Sequence, residues 1–155
     1  AVLYANLPVV QRTSHSLPSA YVPLTRDATV VDEWIDFQFE NNLKTPILLA
    51  AVVNPPYLTV AVLGKKVGWE KVSLESVIIK TYPFEIKEVP DPELPVGERV
   101  KDLDGKKGYL AELWRIVQLP GGKILKRREN VSIYPPQPEE YKIGTKKVTE
   151  ETRPD

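Results

Sequence analysis

Apolar and polar positions in this chain alternate over short stretches, and turn residues interrupt them every few positions. In 29–40, Ile35, Phe37 and Phe39 alternate with Trp34, Asp36, Gln38 and Glu40, which predicts a half-buried strand whose three apolar residues face a core. Asn41-Asn42-Leu43-Lys44-Thr45-Pro46 is turn chemistry, and Ile47 to Val53 reads as a near-continuous apolar strand. Asn54-Pro55-Pro56 turns the chain again, and Tyr57 to Leu63 returns as a further strand closed by Gly64. Together these stretches predict an antiparallel meander.

Lys65 to Trp69, with Gly64 and Gly68 around charged residues, reads as a linker. Beyond it Val72, Leu74, Val77, Ile78 and Ile79 fit one or two strands, and Phe84 to Val89 alternates in period two. Pro90, Pro92 and Pro95 remove three amide donors, so 90–97 is expected to be a rigid connection and not a central strand. Tyr109 to Gln118 predicts a strand with Tyr109, Ala111, Leu113, Arg115 and Val117 on one side. Leu119-Pro120-Gly121-Gly122-Lys123 is a hairpin connection, and Ile124 to Ile133 returns. Tyr134-Pro135-Pro136-Gln137-Pro138 stops that strand. A charged tail over 146–155 lacks a core pattern and is expected to fray or to form an edge strand.

The beginning of the chain has no regular period. Residues 1–12 are mostly apolar around Pro8, which argues for an extended arm, either an edge strand of its own sheet or a strand added to a neighbouring copy. Val2, Leu3, Tyr4, Leu7 and Val9 are the candidate contacts for such assembly into an oligomer or polymer. Residues 15–30 hold the single histidine, two prolines and the adjacent Arg26 and Asp27. Pro18 and Pro23 push their predecessors toward extended geometry, so this is read as an ordered loop whose polar groups must find partners.

Lys and Arg total 21, as do Asp and Glu, so net charge gives no pull toward nucleic acid or an anionic membrane. No apolar run approaches the ~18 residues of a membrane span. The 15 prolines and 8 glycines are spread along the length, which favours many short strands joined by rigid turns. With no cysteine, disulfides, thiolate metal sites and a cysteine nucleophile are excluded from the sequence given. An Ala1-Val2 start without methionine fits the mature end of a secreted protein.

Two families are resembled. His15-Ser16-Leu17-Pro18, Tyr21-Val22-Pro23, Arg26-Asp27-Ala28-Thr29-Val30, then Phe37, Asn41-Asn42 and Pro46-Ile47 resemble the C-terminal part of VanW-like proteins over roughly residues 3–64. Gly97, Gly105, Gly108, one of Gly121 and Gly122, and Gly144-Thr145 are similar in placement to the glycines of the G-five domain, a cell-wall-associated β module, over about 78–145. VanW-like proteins usually carry a Gly-rich segment with a Cys-Gln pair just upstream of the matched part, and this sequence starts after it. The resemblance implies a bacterial, envelope-facing, extracellular location and contact with peptidoglycan or another wall glycan.

His15 stands between Ser14 and Ser16, but neighbours on an extended segment point to opposite faces, so neither hydroxyl is well placed for activation. A hydrogen-bonded structural histidine is the better reading, with His15, Arg26 and Asp27 kept as the set an enzyme would use. A single histidine among carboxylates is a poor zinc set, and neither a metal nor a cofactor is expected. Trp69, Tyr109, Trp114 and Arg128 are candidate glycan contacts, weighed against ordinary packing of aromatics on strands. The expected architecture is all-β: a compact antiparallel module over 1–66, then an elongated module of thin twisted sheets over 67–145. The expected role is non-catalytic, structural or adhesive. A fibre-forming subunit and a peptidoglycan-acting enzyme or enzyme accessory are the alternatives.

Overall fold

The computed structural model describes residues 1–147, and among them every regular element is a β-strand. None of the described residues lies in a helix long and apolar enough to cross a membrane. The first ten residues depart from the expected arm. Val2 to Asn6 coil into successive turns, with Ala5 N–H donating to the Ala1 and Val2 carbonyls and Leu7 N–H to the Val2 carbonyl. Only β1 (Val9–Gln11) is extended, and it pairs antiparallel with the two-residue β2 (Gln38–Phe39).

The alternation read over 29–40 appears in burial but not as one strand. Ile35, Phe37 and Phe39 are half-buried while Trp34, Asp36, Gln38 and Glu40 are exposed. Asp32-Glu33-Trp34 instead forms a tight turn between bridged Val31 and Ile35, with Glu33 at φ 62°. β3 (Leu48–Asn54) and β4 (Tyr57–Leu63) form a hairpin closed by Pro55-Pro56, as expected, but they make a separate two-stranded ladder and not a meander with β2.

From Lys71 onward the chain builds two three-stranded sheets. β5 (Lys71–Tyr82), β8 (Gly108–Gln118) and β9 (Ile124–Tyr134) make an antiparallel sheet in the order β5-β8-β9. On β8, Ala111, Leu113, Arg115 and Val117 are buried while Glu112, Trp114 and Ile116 are half-buried, the period of a strand covered on one face. The cover comes from the start of the chain: Leu7 is wholly buried, and its carbonyl accepts a hydrogen bond from Arg115 on β8.

The second sheet has the order β6-β10-β7, made by β6 (Ile86–Pro95), β7 (Arg99–Leu103) and β10 (Glu139–Lys146). Pro90, Pro92 and Pro95 therefore sit in a strand, contrary to the connection expected. It is an edge strand, parallel to β10, where only one side has to donate to the ladder. This sheet is mostly exposed and is laced by ion pairs: Lys101 with Glu139 and Asp104, Arg99 with Glu88, and Lys142 with Asp102. The Arg99 guanidinium also lies 3.3 Å from the ring centroid of Tyr141. Of the expected charged tail, Lys146 closes β10 and 148–155 lie outside the described residues.

Candidate functional site

The irregular loop between β1 and β2 is fixed by polar side chains to β5 and β9, and the turns before β1 are fixed to β8. Its centre is Asp27, whose side chain is only 2% exposed. One carboxylate oxygen accepts from the Tyr134 hydroxyl at 2.5 Å and from Arg12 at 3.1 Å, and the other lies 2.7 Å from the His15 N–H and 3.0 Å from His15 Nδ1. Arg12 also donates to the Asp27 carbonyl and to the Ser132 hydroxyl, both at 2.6 Å. The Tyr134 oxygen in turn accepts from the Thr25 N–H at 2.8 Å, so the phenol both donates and accepts.

Two further arginines extend this lock. Arg26 donates to the Leu74 carbonyl at 2.7 Å, to Ser76 at 3.3 Å and to the Tyr4 hydroxyl at 3.1 Å, so it ties both the loop and the first turns to β5. Arg115 holds the Leu7 carbonyl with one nitrogen and Glu129 with another, at 3.0 and 2.9 Å, and Arg127 closes on the same Glu129 carboxylate at 2.8 Å. Burial works to raise the Asp27 pKa, but the Tyr134, His15 and Arg12 contacts bring it below the ordinary carboxylate value. Glu129 behaves alike, with burial opposed by Arg127 and Arg115, and the Tyr134 phenol is pushed up by burial and by the neighbouring carboxylate.

His15 and Asp27, singled out from the sequence, are therefore in direct contact, while Arg26 turns away to β5. The His15 side chain is 36% exposed, and His15 Nδ1 is its ring atom paired with the acid. A carboxylate behind an imidazole is part of a hydrolytic set, but this carboxylate is saturated by tyrosine, arginine and backbone donors that anchor the loop. Sequence reasoning missed Arg12, Thr25, Arg115, Glu129, Ser132 and Tyr134. The one local signal was Arg12, a lone cation closing an apolar stretch.

Beside the lock lies a cleft of about 650 Å³ lined by Val2, Leu3, Tyr4, Val9, Arg26 and Asp27, among others. The residues considered for assembly are thus partly engaged within the chain: Leu7 is in the core, Val9 pairs with Phe39, and Tyr4 bonds Arg26. The candidate glycan contacts do not form one platform. Trp69 lines a separate cleft of about 470 Å³ and lies 4.4 Å from the Lys66 ammonium. Tyr109 pairs across the ladder with Tyr134, on the loop-facing side of β8.

Trp114 and Arg128, in contrast, are cross-strand partners on the other face. The Trp114 indole donates to Glu112 at 3.0 Å, Arg128 pairs with the same carboxylate at 2.7 Å, and Lys126, bridged to Glu75, lies 5.2 Å from the ring centroid. An aromatic ring bordered by an acid and two bases has the parts of a sugar-stacking surface. Among the described residues no group of three His, Cys, Asp or Glu is placed to hold a metal ion.

Fold and site together define an all-β chain in which an irregular N-terminal segment is bolted by buried polar contacts onto the first of two thin sheets. Residues 1–63 match the family model described as "VanW like protein", and residues 74–146 match that of the "G5 domain". The chain thus carries a VanW-like segment followed by a G5 domain, both from families associated with the cell wall or cell surface. The "Uncharacterized protein YoaR" of Bacillus subtilis (strain 168) is 49% identical over 51 residues, which is 33% of this chain and 17% of that protein. A solved structure titled "IgA1 Protease G5 domain structure" is 22% identical, with a TM-score of 0.34, over 49% of this chain and 92% of that one.

Proposed function

We propose that this chain is a non-catalytic structural or adhesive module at the extracellular face of a bacterial envelope, and that it binds wall glycan through the Trp114 face of its first sheet. The observation that carries the non-catalytic part is the saturation of Asp27. Its four donor contacts all serve to fasten the loop, which leaves the His15–Asp27 pair as an anchor rather than an acid–base couple. Support for glycan binding is the half-buried Trp114 ring with Glu112, Arg128, Lys126 and Glu75 around it. A sugar ring stacking there displaces the exposed Lys126 ammonium and meets acceptors and donors for its hydroxyls.

The test is sedimentation of the chain with purified peptidoglycan, comparing the native protein with Trp114→Ala and Arg128→Ala. The expected result is retention of the native chain and at least about tenfold weaker retention of Trp114→Ala, as for loss of a central aromatic contact. Equal retention of all three overturns the assignment of the face. Release of soluble wall fragments by the native chain, abolished in His15→Ala, overturns the non-catalytic reading and puts the enzyme in its place.

A further inference from the structure

Among the described residues the β3–β4 hairpin stands clear of every other strand. Its inner half shares clefts with the N-terminal turns through Val60, Ala61, Val62 and Gly64, but Val52, Val53, Tyr57 and Leu58 in its outer half line neither cleft. There the two faces are alike. Val53 and Leu58 pair on one face, 71% and 65% exposed, while Val52 and Tyr57 project from the other, 62% and 72% exposed. From Thr45 to Gly64 the sequence has no charged residue. The charges between Asn41 and Trp69 are Lys44, Lys65 and Lys66, all exposed at the foot of the hairpin, and the nearest acids in sequence are Glu40 and Glu70. The two ends of the hairpin run side by side there, since a Cβ at Gly64 would lie 3.6 Å from the Pro46 carbonyl oxygen.

We propose that the outer half of this hairpin enters the boundary between headgroups and acyl chains of a lipid bilayer, with the three lysines at its foot meeting anionic headgroups. A flat protein surface covers one face of a two-stranded ladder and leaves the other in water, whereas a bilayer takes up both. The turn suits such an entry: Pro55 and Pro56 carry no N–H, and Asn54 and Tyr57 are paired, so few donors are left at the tip. The outer edges of β3 and β4 pair with no further strand, and unpaired backbone groups do not enter the hydrocarbon core, so the hairpin dips in and does not span. Three residues of each strand reach about 10 Å, the depth of an interfacial segment. The rest of the hairpin, about 13 Å, holds the lysines within roughly one Debye length of the headgroup layer. Charges balance over the whole chain, so it is this local collar that supplies the attraction. This inference does not rest on glycan binding.

The experiment is flotation of the full chain with vesicles of phosphatidylcholine, alone or mixed with phosphatidylglycerol, alongside Leu58→Asp and Ile79→Asp. Both positions are exposed, so both variants keep the fold, which circular dichroism checks, and both add the same charge, but Ile79 lies on β5, outside the hairpin. The native chain and Ile79→Asp are expected to float with the mixed vesicles, and Leu58→Asp to bind them at least about tenfold more weakly because a charge must leave water. Replacing Lys65 and Lys66 together by Glu is expected to remove the preference for phosphatidylglycerol. Since the chain has no cysteine, Tyr57→Cys carrying a nitrobenzoxadiazole label adds an independent reading: its fluorescence rises and shifts to the blue on adding vesicles, while the same label on Val96→Cys, an exposed position beside β7, does not respond. A native chain that does not float, or equal flotation of Leu58→Asp and Ile79→Asp, overturns the proposal. Absence of flotation with a doubled mass in vesicle-free solution, lost in Leu58→Asp, also overturns it and gives the hairpin to a second copy of the chain.

Discussion

The hydroxyl of Tyr134, the last residue of β9, donates to the carboxylate of Asp27 at 2.5 Å across 107 residues of sequence. Both residues are buried, and the same phenol oxygen accepts from the Thr25 N–H. One side chain therefore closes a polar circuit between the VanW-like loop and the G5 domain. An apolar contact would hold the two together as well, but the circuit also fixes which loop residue meets which strand position.

Tyr134→Phe keeps the ring in its place and removes only the hydroxyl. The Thr25 N–H loses its acceptor and Asp27 one donor, both in a buried setting, so the expected loss is about 1–3 kcal/mol. Urea unfolding checks it. A midpoint unchanged from the native chain would mean that water or the other donors replace the phenol.

Asp27 also sets an acid limit. Its folded-state pKa lies below the ordinary 3.8, so the folded chain takes up that proton less readily than the unfolded one. The stabilisation is complete above the ordinary value and is lost as the pH falls below it, through the folded-state value. Glu129, lowered from 4.5, acts in the same direction slightly higher in pH. Asp27→Asn is expected to be less stable than the native chain by about 1.5–3 kcal/mol at neutral pH, the worth of a hydrogen bond to a charged group. That gap is expected to narrow on acidification, and thermal unfolding across a pH series reads it directly.

The sequence pattern revealed the strands rich in branched apolar residues, whether or not they bury a face, and failed on those poor in them. β3, β4, β8 and β9 are rich in Val, Leu and Ile, and β8 alternates as a strand covered on one side should. β7 and β10 were invisible because Arg99-Val-Lys-Asp-Leu103 and Glu139 to Lys146 belong to a sheet with little burial to impose a period. The first part of β6, Ile86 to Val89, was legible in its alternation, and its second part was misread because a proline rule that excludes central strands still permits an edge. In the site, His15, Arg26 and Asp27 were legible as polar residues on a loop that needs partners. Tyr134, Ser132 and Arg115 were not, since nothing local marks a strand residue whose partner lies more than a hundred residues away.

Arg115 on β8 and Glu129 on β9 form an ion pair in which both side chains are 5% exposed. Arg115→Leu removes a buried cation, leaves the Leu7 carbonyl without its donor and leaves Glu129 to Arg127 alone. The expected cost is about 3–5 kcal/mol, as for breaking a buried pair from one side. Adding Glu129→Leu is expected to recover part of it, because no uncompensated acid remains. A double-mutant cycle measured by chemical unfolding gives the coupling, and purely additive losses would show that the two residues act independently.

Gly144 tests the second sheet separately. β10 passes β6 so closely there that a Cβ at 144 would stand 1.8 Å from the Pro95 carbonyl oxygen and 2.6 Å from the Pro95 carbonyl carbon. These are backbone atoms of the paired strand, so no rotamer change relieves the overlap and the strands must separate. Gly97 contrasts with it, with φ at 95° and open space around its Cβ position. Gly97→Ala meets only the left-handed backbone penalty, about 1–2 kcal/mol. Gly144→Ala is expected to cost about 3 kcal/mol or more, since overpacking against backbone cannot be absorbed by neighbouring side chains. Hydrogen exchange localises the effect: amide protection at Tyr141 to Ile143 should collapse in Gly144→Ala, while that at Ala111 to Leu113, in the sheet held by the Asp27 lock, stays near native. Loss of protection in both sheets together would show instead that they unfold as one unit.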